Sequence, residues 1–260
     1  MRTVTTSLYG AIPAPETFGE LQEICEQSMP KEHFNVRIWR GQADVSWPIH
    51  SSAYRRLRID LKTVDESDVK SYEASLLALA SHKGFRRVDG RDLSDLELLA
   101  RLRHHGAATR LIDATSNALV GLYFCVMAGP NQAGLLLGIH SSALGGYEGL
   151  LDQRPYDEIF DDLPNTHPQT WEPPVVSPRV AAQRARFLYS PIVADKKGSL
   201  ALGGTGEHLL LIYVSPELKK ECLNILSEVY DIRYSTLFPD IDGFGYAHSF
   251  RFSRETQFRW

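Results

Sequence analysis

The stretch RLRHHGAATRLIDATSNALVGLYFC, residues 101–125, changes character halfway along. Its first half is a basic helix that closes on His104-His105-Gly106, and glycine is the residue that most readily ends a helix in a left-handed turn. Arg110 to Asp113 is short and β-prone, and Thr115 to Asn117 can cap the segment that follows. From about 117 to 128 the chain is apolar on every side, which predicts a central buried helix ended by Gly129-Pro130. A core has no use for Arg103, His104, His105, Thr109, Arg110, Asp113 and Thr115 crowded against it. The polar half therefore predicts a pocket wall at the N-terminal end of the buried helix, where a phosphate or carboxylate is favoured.

Working outward, residues 15–27 form an amphipathic helix with Pro15 near its start and Phe18, Leu21, Ile24 and Cys25 on one face. NVRIWRG, 35–41, alternates and reads as a strand ending at Gly41. A helix fits 66–83, and Ser94 with Glu97 makes a capping box for another whose Leu96, Leu99 and Leu102 share a face. GLLLGIH, 134–140, and EHLLLIYV, 207–214, read as interior strands. Ser215 and Pro216 open an amphipathic helix over 215–230. Residues 145–178 hold six prolines and the acidic YDEIFDDL, which predicts a long surface excursion. The whole reads as one α+β domain, residues 1–260, with a mixed or mostly antiparallel sheet packed with helices and an N-terminal helical extension over 1–30.

Composition excludes some functions. The net charge of −4 gives no global basic field for nucleic acid, although a local basic face, such as HKGFRRVDGR at 82–91, stays open. Cys25, Cys125 and Cys222 are spaced for neither zinc nor a disulfide framework; two sit in apolar runs as buried thiols, which suits a reducing compartment. The N-terminus lacks the apolar core of a signal peptide, and the apolar run at 118–128 is shorter than the roughly 20 residues that span a bilayer. The expected setting is the cytoplasm, with no membrane partner. There is no GxGxxG, P-loop, GxSxG or HExxH. His104 and His105 are expected to diverge, and Asp240-x-Asp242 suits a helix start as well as a magnesium ion, so no metal is expected. What remains is Arg, Gln, Thr and Asp at the ends of apolar elements. Arg40 can grip phosphate bidentately, with Gly41 permitting close approach of a ligand and Gln42 beside it; equally, Arg40 can be a structural arginine paired with an acid such as Asp113. Arg55 and Arg56 read as a solvated helical face.

WRGQADVSWPIHSSAYRR resembles the opening signature of FRG domains, named for an aromatic-Arg-Gly motif. HHGAATRLIDATSNALVGLYF is similar to their second signature, and RVAAQRARF and LFPDIDGFG resemble the third and fourth, so the resemblance runs from about 35 to 250. A further, weaker resemblance is to arginine-type ADP-ribosyltransferases, which also order an aromatic-Arg-Gly strand, a strand entering an Ala- and Phe-bearing helix, and a third strand carrying a catalytic Glu. It implies an ADP-ribosyltransferase-like fold with NAD as substrate. Arg40, Asp113 and Gln183 would then be catalytic, and Arg40, Gly41, Gln42, His105, Thr109, Arg110 and Thr115 would bind the cofactor. Gln183 stands where a Glu is expected, and an amide stabilises an oxocarbenium-like state less than a carboxylate does. Either Asp113 supplies the charge or the pocket binds a nucleotide without breaking it.

The resemblance implies an NAD-dependent ADP-ribosyltransferase in a bacterial toxin or antiphage setting, with a macromolecular acceptor such as RNA, DNA or protein and an antitoxin or inhibitor as partner. The alternatives are a non-catalytic nucleotide or nucleic-acid binding module, and a metal-independent nuclease using His105 as base with Arg40 and Arg110 on phosphate.

Overall fold

A computed structural model describes residues 2–29, 36–146, 152–174 and 177–249. The chain begins with a hairpin, β1 (Thr3–Thr6) and β2 (Gly10–Pro13), then α1 (Phe18–Gln27), whose Thr17 cap lies two residues beyond Pro15. The extension over 1–30 is thus a hairpin plus a helix, and Phe18, Leu21 and Ile24 are buried in the main core. β3 (Arg37–Gln42) runs one residue past Gly41 and leads to α2 (Ser52–Asp60) and α3 (Glu66–His82). The Asp89-Gly90 turn, positive φ at both residues, joins β4 (Arg87–Val88) to β5 (Arg91–Asp92), as a two-residue hairpin requires. α4 (Asp95–His104) starts at the Ser94–Glu97 capping box and ends before Gly106, which takes φ +87°. β6 (Ile112–Thr115) and α5 (Ala118–Val126) follow, then β7 (Gly134–His140).

The remaining elements are α6 (Tyr156–Phe160), β8 (Gln169–Trp171), α7 (Pro178–Ala182), β9 (Ala185–Tyr189), β10 (Leu209–Val214), α8 (Pro216–Glu228), α9 (Tyr234–Leu237) and α10 (Ile241–Ala247). The prolines of 145–178 do not make a surface excursion in its described part. Tyr156, Ile159, Phe160 and Trp171 are buried with Leu96, Leu98, Leu99 and Phe187, because the aromatic residues between the prolines have a core to fill.

Six strands form an antiparallel sheet in the order β10-β7-β3-β6-β9-β8, an open α+β architecture. On one face α5 packs with α1 and α8 around Trp39, Leu122, Ile212 and Leu218. On the other, Ile38, Ile112, Leu137, Ile139 and Leu188 meet Ile49, Leu200 and Leu202. Strand β3 pairs with β7 over its whole length, from Arg37↔His140 to Gln42↔Leu135, but meets β6 at the single register pair Trp39↔Thr115. Past that pair the two strands separate, and the sheet splits. Gly41 explains what holds β3 in place: a Cβ there would lie 2.1 Å from the Gly121 carbonyl and 2.4 Å from the Cys125 nitrogen. The glycine admits the α5 backbone. All three cysteines are free, with Cys125 and Cys222 buried as expected.

Arg110 is a structural residue. It is 2 % exposed and donates to Glu73 through its backbone N–H (2.5 Å) and Nε (2.6 Å), to Glu66 (2.8 Å) and to the Tyr156 hydroxyl (2.5 Å). Its guanidinium lies 4.2 Å from the Phe160 ring centroid. This network ties α3, α6 and the entry to β6 together, and its acids hold the guanidinium firmly in its charged form. Thr109 is fully buried; its backbone N–H and C=O both meet the Ser52 hydroxyl, fastening the start of α2.

Gly41→Ala is expected to destabilise at or above the upper end of the roughly 1–3 kcal/mol typical of overpacking, because the obstacle is backbone. A lowered urea midpoint with unchanged slope would report it; an unchanged midpoint would contradict the contact. Arg110→Ala leaves Glu73 buried and uncompensated, a loss of about 3–5 kcal/mol. In a thermal melt that corresponds to a fall on the order of 10 °C, and a midpoint within about 2 °C of the parent would rule out the structural role.

Candidate functional site

The split between β3 and β6 opens into a cavity of about 900 Å³. One lip carries Trp39 to Ala43, the other Asp113 to Thr115 and Ala185 to Phe187; α4 contributes Arg101, Arg103 and His104, and α5 its flank at Gly121 and Phe124. Volume and mixed lining fall within the range of small-molecule sites. The cavity runs along the side of α5 and not at its N-terminal end. The first-turn amides there are already used: the Asn117 side chain accepts from the N–H groups of Leu119 and Val120, at 2.9 and 3.4 Å. The helix terminus is therefore closed to an anion, contrary to the expectation from sequence.

Seven arginines line the cavity against three carboxylates, on a chain whose overall net charge is −4. Within 82–91, Arg86 pairs with Asp95 (2.6 Å), and Arg91, itself one of the seven, is held bidentately by Glu97 (2.7 and 3.0 Å). Arg40 bridges the split by donating from Nη1 to the Asp113 carbonyl, 2.6 Å away. Burial pulls its guanidinium down to about 10; Asp113 opposes this, while Arg103 and Arg55 add to it. It stays cationic at neutral pH. The Asp113 carboxylate pairs with Arg103, not with Arg110 or Arg40, and is half exposed at the cavity wall. Arg55 is not simply a solvated residue: it lines the cavity, and desolvation followed by Arg103 lowers its pKa. The Nε atoms of Arg40, Arg103 and Arg179 are buried and have no hydrogen-bond partner among the described residues. A buried donor without an acceptor costs stability, so three on one cavity wall point to a ligand rich in acceptors.

The structure thus brings Arg40, Gly41, Gln42, His105, Asp113, Thr115 and Gln183 to one cavity and leaves Thr109 and Arg110 outside it. Not all seven are free. The Thr115 hydroxyl donates to the Gln183 carbonyl (2.7 Å) and accepts from the Asn117 N–H (3.0 Å). Gln42 is 6 % exposed and donates to the Trp47 carbonyl at 3.1 Å. Gln183 caps the end of α7 instead of lying in a strand, and its Nε2 donates to the Leu237 carbonyl at 3.0 Å, which leaves Oε1 as its remaining side-chain acceptor. Sequence reasoning missed Arg101, Arg179, Arg186 and the aromatic walls Trp47, Phe124, Phe187 and Phe238. The arginines of α4 alternate with leucines and read as the wet side of an amphipathic helix, which conceals that the wet side faces an enclosed space.

At the cavity rim the end of α4 meets the start of α10. Asp240 caps α10 through the Gly243 N–H (2.8 Å) and holds Arg179 (2.6 Å). His104 Nε2 lies 3.3 Å from Asp240 Oδ2, and His105 Nδ1 3.4 Å from Asp242 Oδ2. The two histidine rings lie edge to face, 4.9 Å apart. Desolvation, then Arg179 and His105, hold the His104 pKa below the usual histidine value. Adjacent histidines were expected to diverge; they converge on α10 because the helix ends between them, with His105 as its C-cap at φ −88°, ψ 17°.

Among the described residues no helix is long and apolar enough to cross a membrane. No curated protein and no solved structure matches the chain. Residues 35–133 match the family model of the FRG domain, while the segments around Gln183 and Asp240 lie outside the match. The matched segment runs from β3 to the turn after α5, so the chain is similar to the FRG domain over the β3 and β6 lips of the split sheet and the helix packed behind them.

Proposed function

We propose that the protein binds NAD in the split-sheet cavity and transfers its ADP-ribose to a macromolecule. The observation that carries the reading is the trio of buried, unpartnered Nε donors on Arg40, Arg103 and Arg179 within a wall of seven arginines. A pyrophosphate supplies the dense acceptors such a wall requires, and guanidinium forks match its geometry. Trp47, Phe124 and Phe187 contribute aromatic surface to the lining for the adenine and nicotinamide to pack against. In the transfer, the bond from ribose C1′ to the nicotinamide nitrogen breaks with its electron pair leaving on nicotinamide. An acceptor oxygen or nitrogen bonds to C1′ and gives up its proton. Asp113 is the carboxylate of the β6 lip, and its negative charge would stabilise the oxocarbenium-like state.

A second reading, nucleotide or nucleic-acid recognition without chemistry, is favoured by one specific feature. Asp113 is paired with Arg103 and Gln183 is an amide, so the wall presents no unpaired carboxylate from either. Incubation with NAD labelled in the adenylate half, with RNA, DNA or lysate protein in separate tubes, distinguishes the two. Transfer predicts label on one polymer, with Asp113→Asn reducing the rate by at least about 100-fold. Recognition alone predicts NAD protection in a thermal melt with no label transferred. In either case Arg40→Ala should weaken NAD binding about tenfold or more, the value of a lost charge-assisted hydrogen bond. Neither label transfer, nor release of nicotinamide, nor thermal protection would overturn NAD as the ligand.

A further inference from the structure

His104, His105 and Asp242 can each present one ligand atom such that all three lie within 4.8 Å of one another. Two elements far apart in sequence build this cluster: α4 ends at the two histidines, where Gly106 with φ +87° turns the chain away, and Asp242 lies in the first turn of α10. Two separations here, 3.4 Å within the cluster from His105 Nδ1 to Asp242 Oδ2 and 3.3 Å from His104 Nε2 to the neighbouring Asp240 Oδ2, exceed the roughly 2.7–2.9 Å of a charge-assisted hydrogen bond. They match something else. Ligands held about 2.0–2.1 Å from a tetrahedral zinc ion stand roughly 3.4 Å from one another. Asp240 Oδ2 lies at the same place, buried, 3.3 Å from His104 Nε2 and with no hydrogen bond among the described residues.

We propose that His104, His105 and Asp242 bind a first-row transition metal ion of the zinc class, with Asp240 Oδ2 at its edge. Imidazole nitrogens with carboxylate oxygen select such an ion over magnesium or calcium, which prefer all-oxygen shells. Three protein ligands leave a coordination position open, as in zinc sites that take water or substrate. His104 and His105 also line the cavity, whereas Asp242 does not, so the open position is available to a ligand within the cavity. The ion would also clamp α10 to the end of α4, fixing one side of the cavity mouth. None of this depends on the ligand being NAD.

The experiment uses the full chain, freed of any tag and treated with chelator, titrated with Co²⁺ and followed by visible absorption, with Zn²⁺ added as competitor. The expected result is one equivalent of Co²⁺ with the intense bands of low-coordinate geometry, displaced by Zn²⁺. His105→Ala and Asp242→Asn should each weaken binding at least tenfold, and both side chains are more than half exposed, so folding is preserved. His82→Ala, at the end of α3 and away from the cluster, should leave binding unchanged. Absence of stoichiometric binding, or binding indifferent to both cluster substitutions, would overturn the site and would leave the NAD reading untouched. Loss of NAD binding with Co²⁺ binding intact would have the opposite consequence.

Discussion

The contact between Gly41 and Gly121 is the constraint from which the rest of the architecture follows. Strand and helix backbones approach so closely that a Cβ at 41 would fall 2.1 Å from a carbonyl oxygen. α5 is thereby locked to β3 and not to the strand on the other side of the split. β6 feeds α5 through only Ser116 and Asn117, so its end is drawn to β3 at Trp39↔Thr115 while its beginning is held elsewhere. The sheet can satisfy both demands only by opening between β3 and β6. Exposed strand edges carry unpaired backbone groups, and here one is met by a side chain: Arg40 donates to the Asp113 carbonyl across the gap.

The second anchor of β6 is the Arg110 network. Glu73 and Arg110 are both essentially excluded from solvent, and a buried ion pair is tolerable only when its remaining hydrogen-bonding capacity is satisfied. Glu66, Tyr156 and the Arg110 backbone N–H complete it. Lys219 does comparable work at the other end of α5, where its buried ammonium donates to the carbonyls of Ala43 (2.5 Å), Ala128 (3.0 Å) and Gly129 (3.0 Å). A cation among carbonyls beyond a helix C-terminus is favourably placed. These rigid ends hold several arginines near one another around the cavity, where Arg91, Arg103, Arg179 and Arg186 each pair with an acid.

Most elements were legible in the sequence because their signals are local. Capping at Ser94 and Ser215, the apolar cylinder of α5 and the unbroken hydrophobic run of β7 each depend on a few adjacent residues, whereas β10, read as an interior strand, lies at the sheet edge and is largely half-buried. What stayed hidden depends on partners far along the chain. Nothing near Arg110 announces Glu73, and nothing near Asp113 announces that Arg103, rather than Arg40 or Arg110, would neutralise it. The prolines of 145–178 look like loop chemistry until Phe160 and Trp171 are seen filling a core built by α4 and β9. Of the cavity lining, Arg40 and Asp113 were singled out in the sequence because they stand next to the ends of apolar elements. Thr109 and Arg110 were misassigned because a polar residue beside a buried element serves a fold and a ligand equally well.

That ambiguity resolves in a regular way along residues 101–125. Arg103, His104, His105 and Asp113 face the cavity or its rim, while Thr109 and Arg110 are turned into the interior, and the reversal falls between Gly106 and β6. Gly106 takes the left-handed conformation that lets the chain reverse just after the two histidines. The chain then dips inward to fasten α2 and α3 and returns to the cavity at Asp113. Fastening the interior and lining the cavity are thus assigned to successive residues of one segment. The structural arginine is satisfied by three protein partners, whereas three cavity arginines each keep a buried Nε without an acceptor among the described residues. Among these arginines, satisfaction of hydrogen-bonding capacity separates Arg110 from Arg40, Arg103 and Arg179.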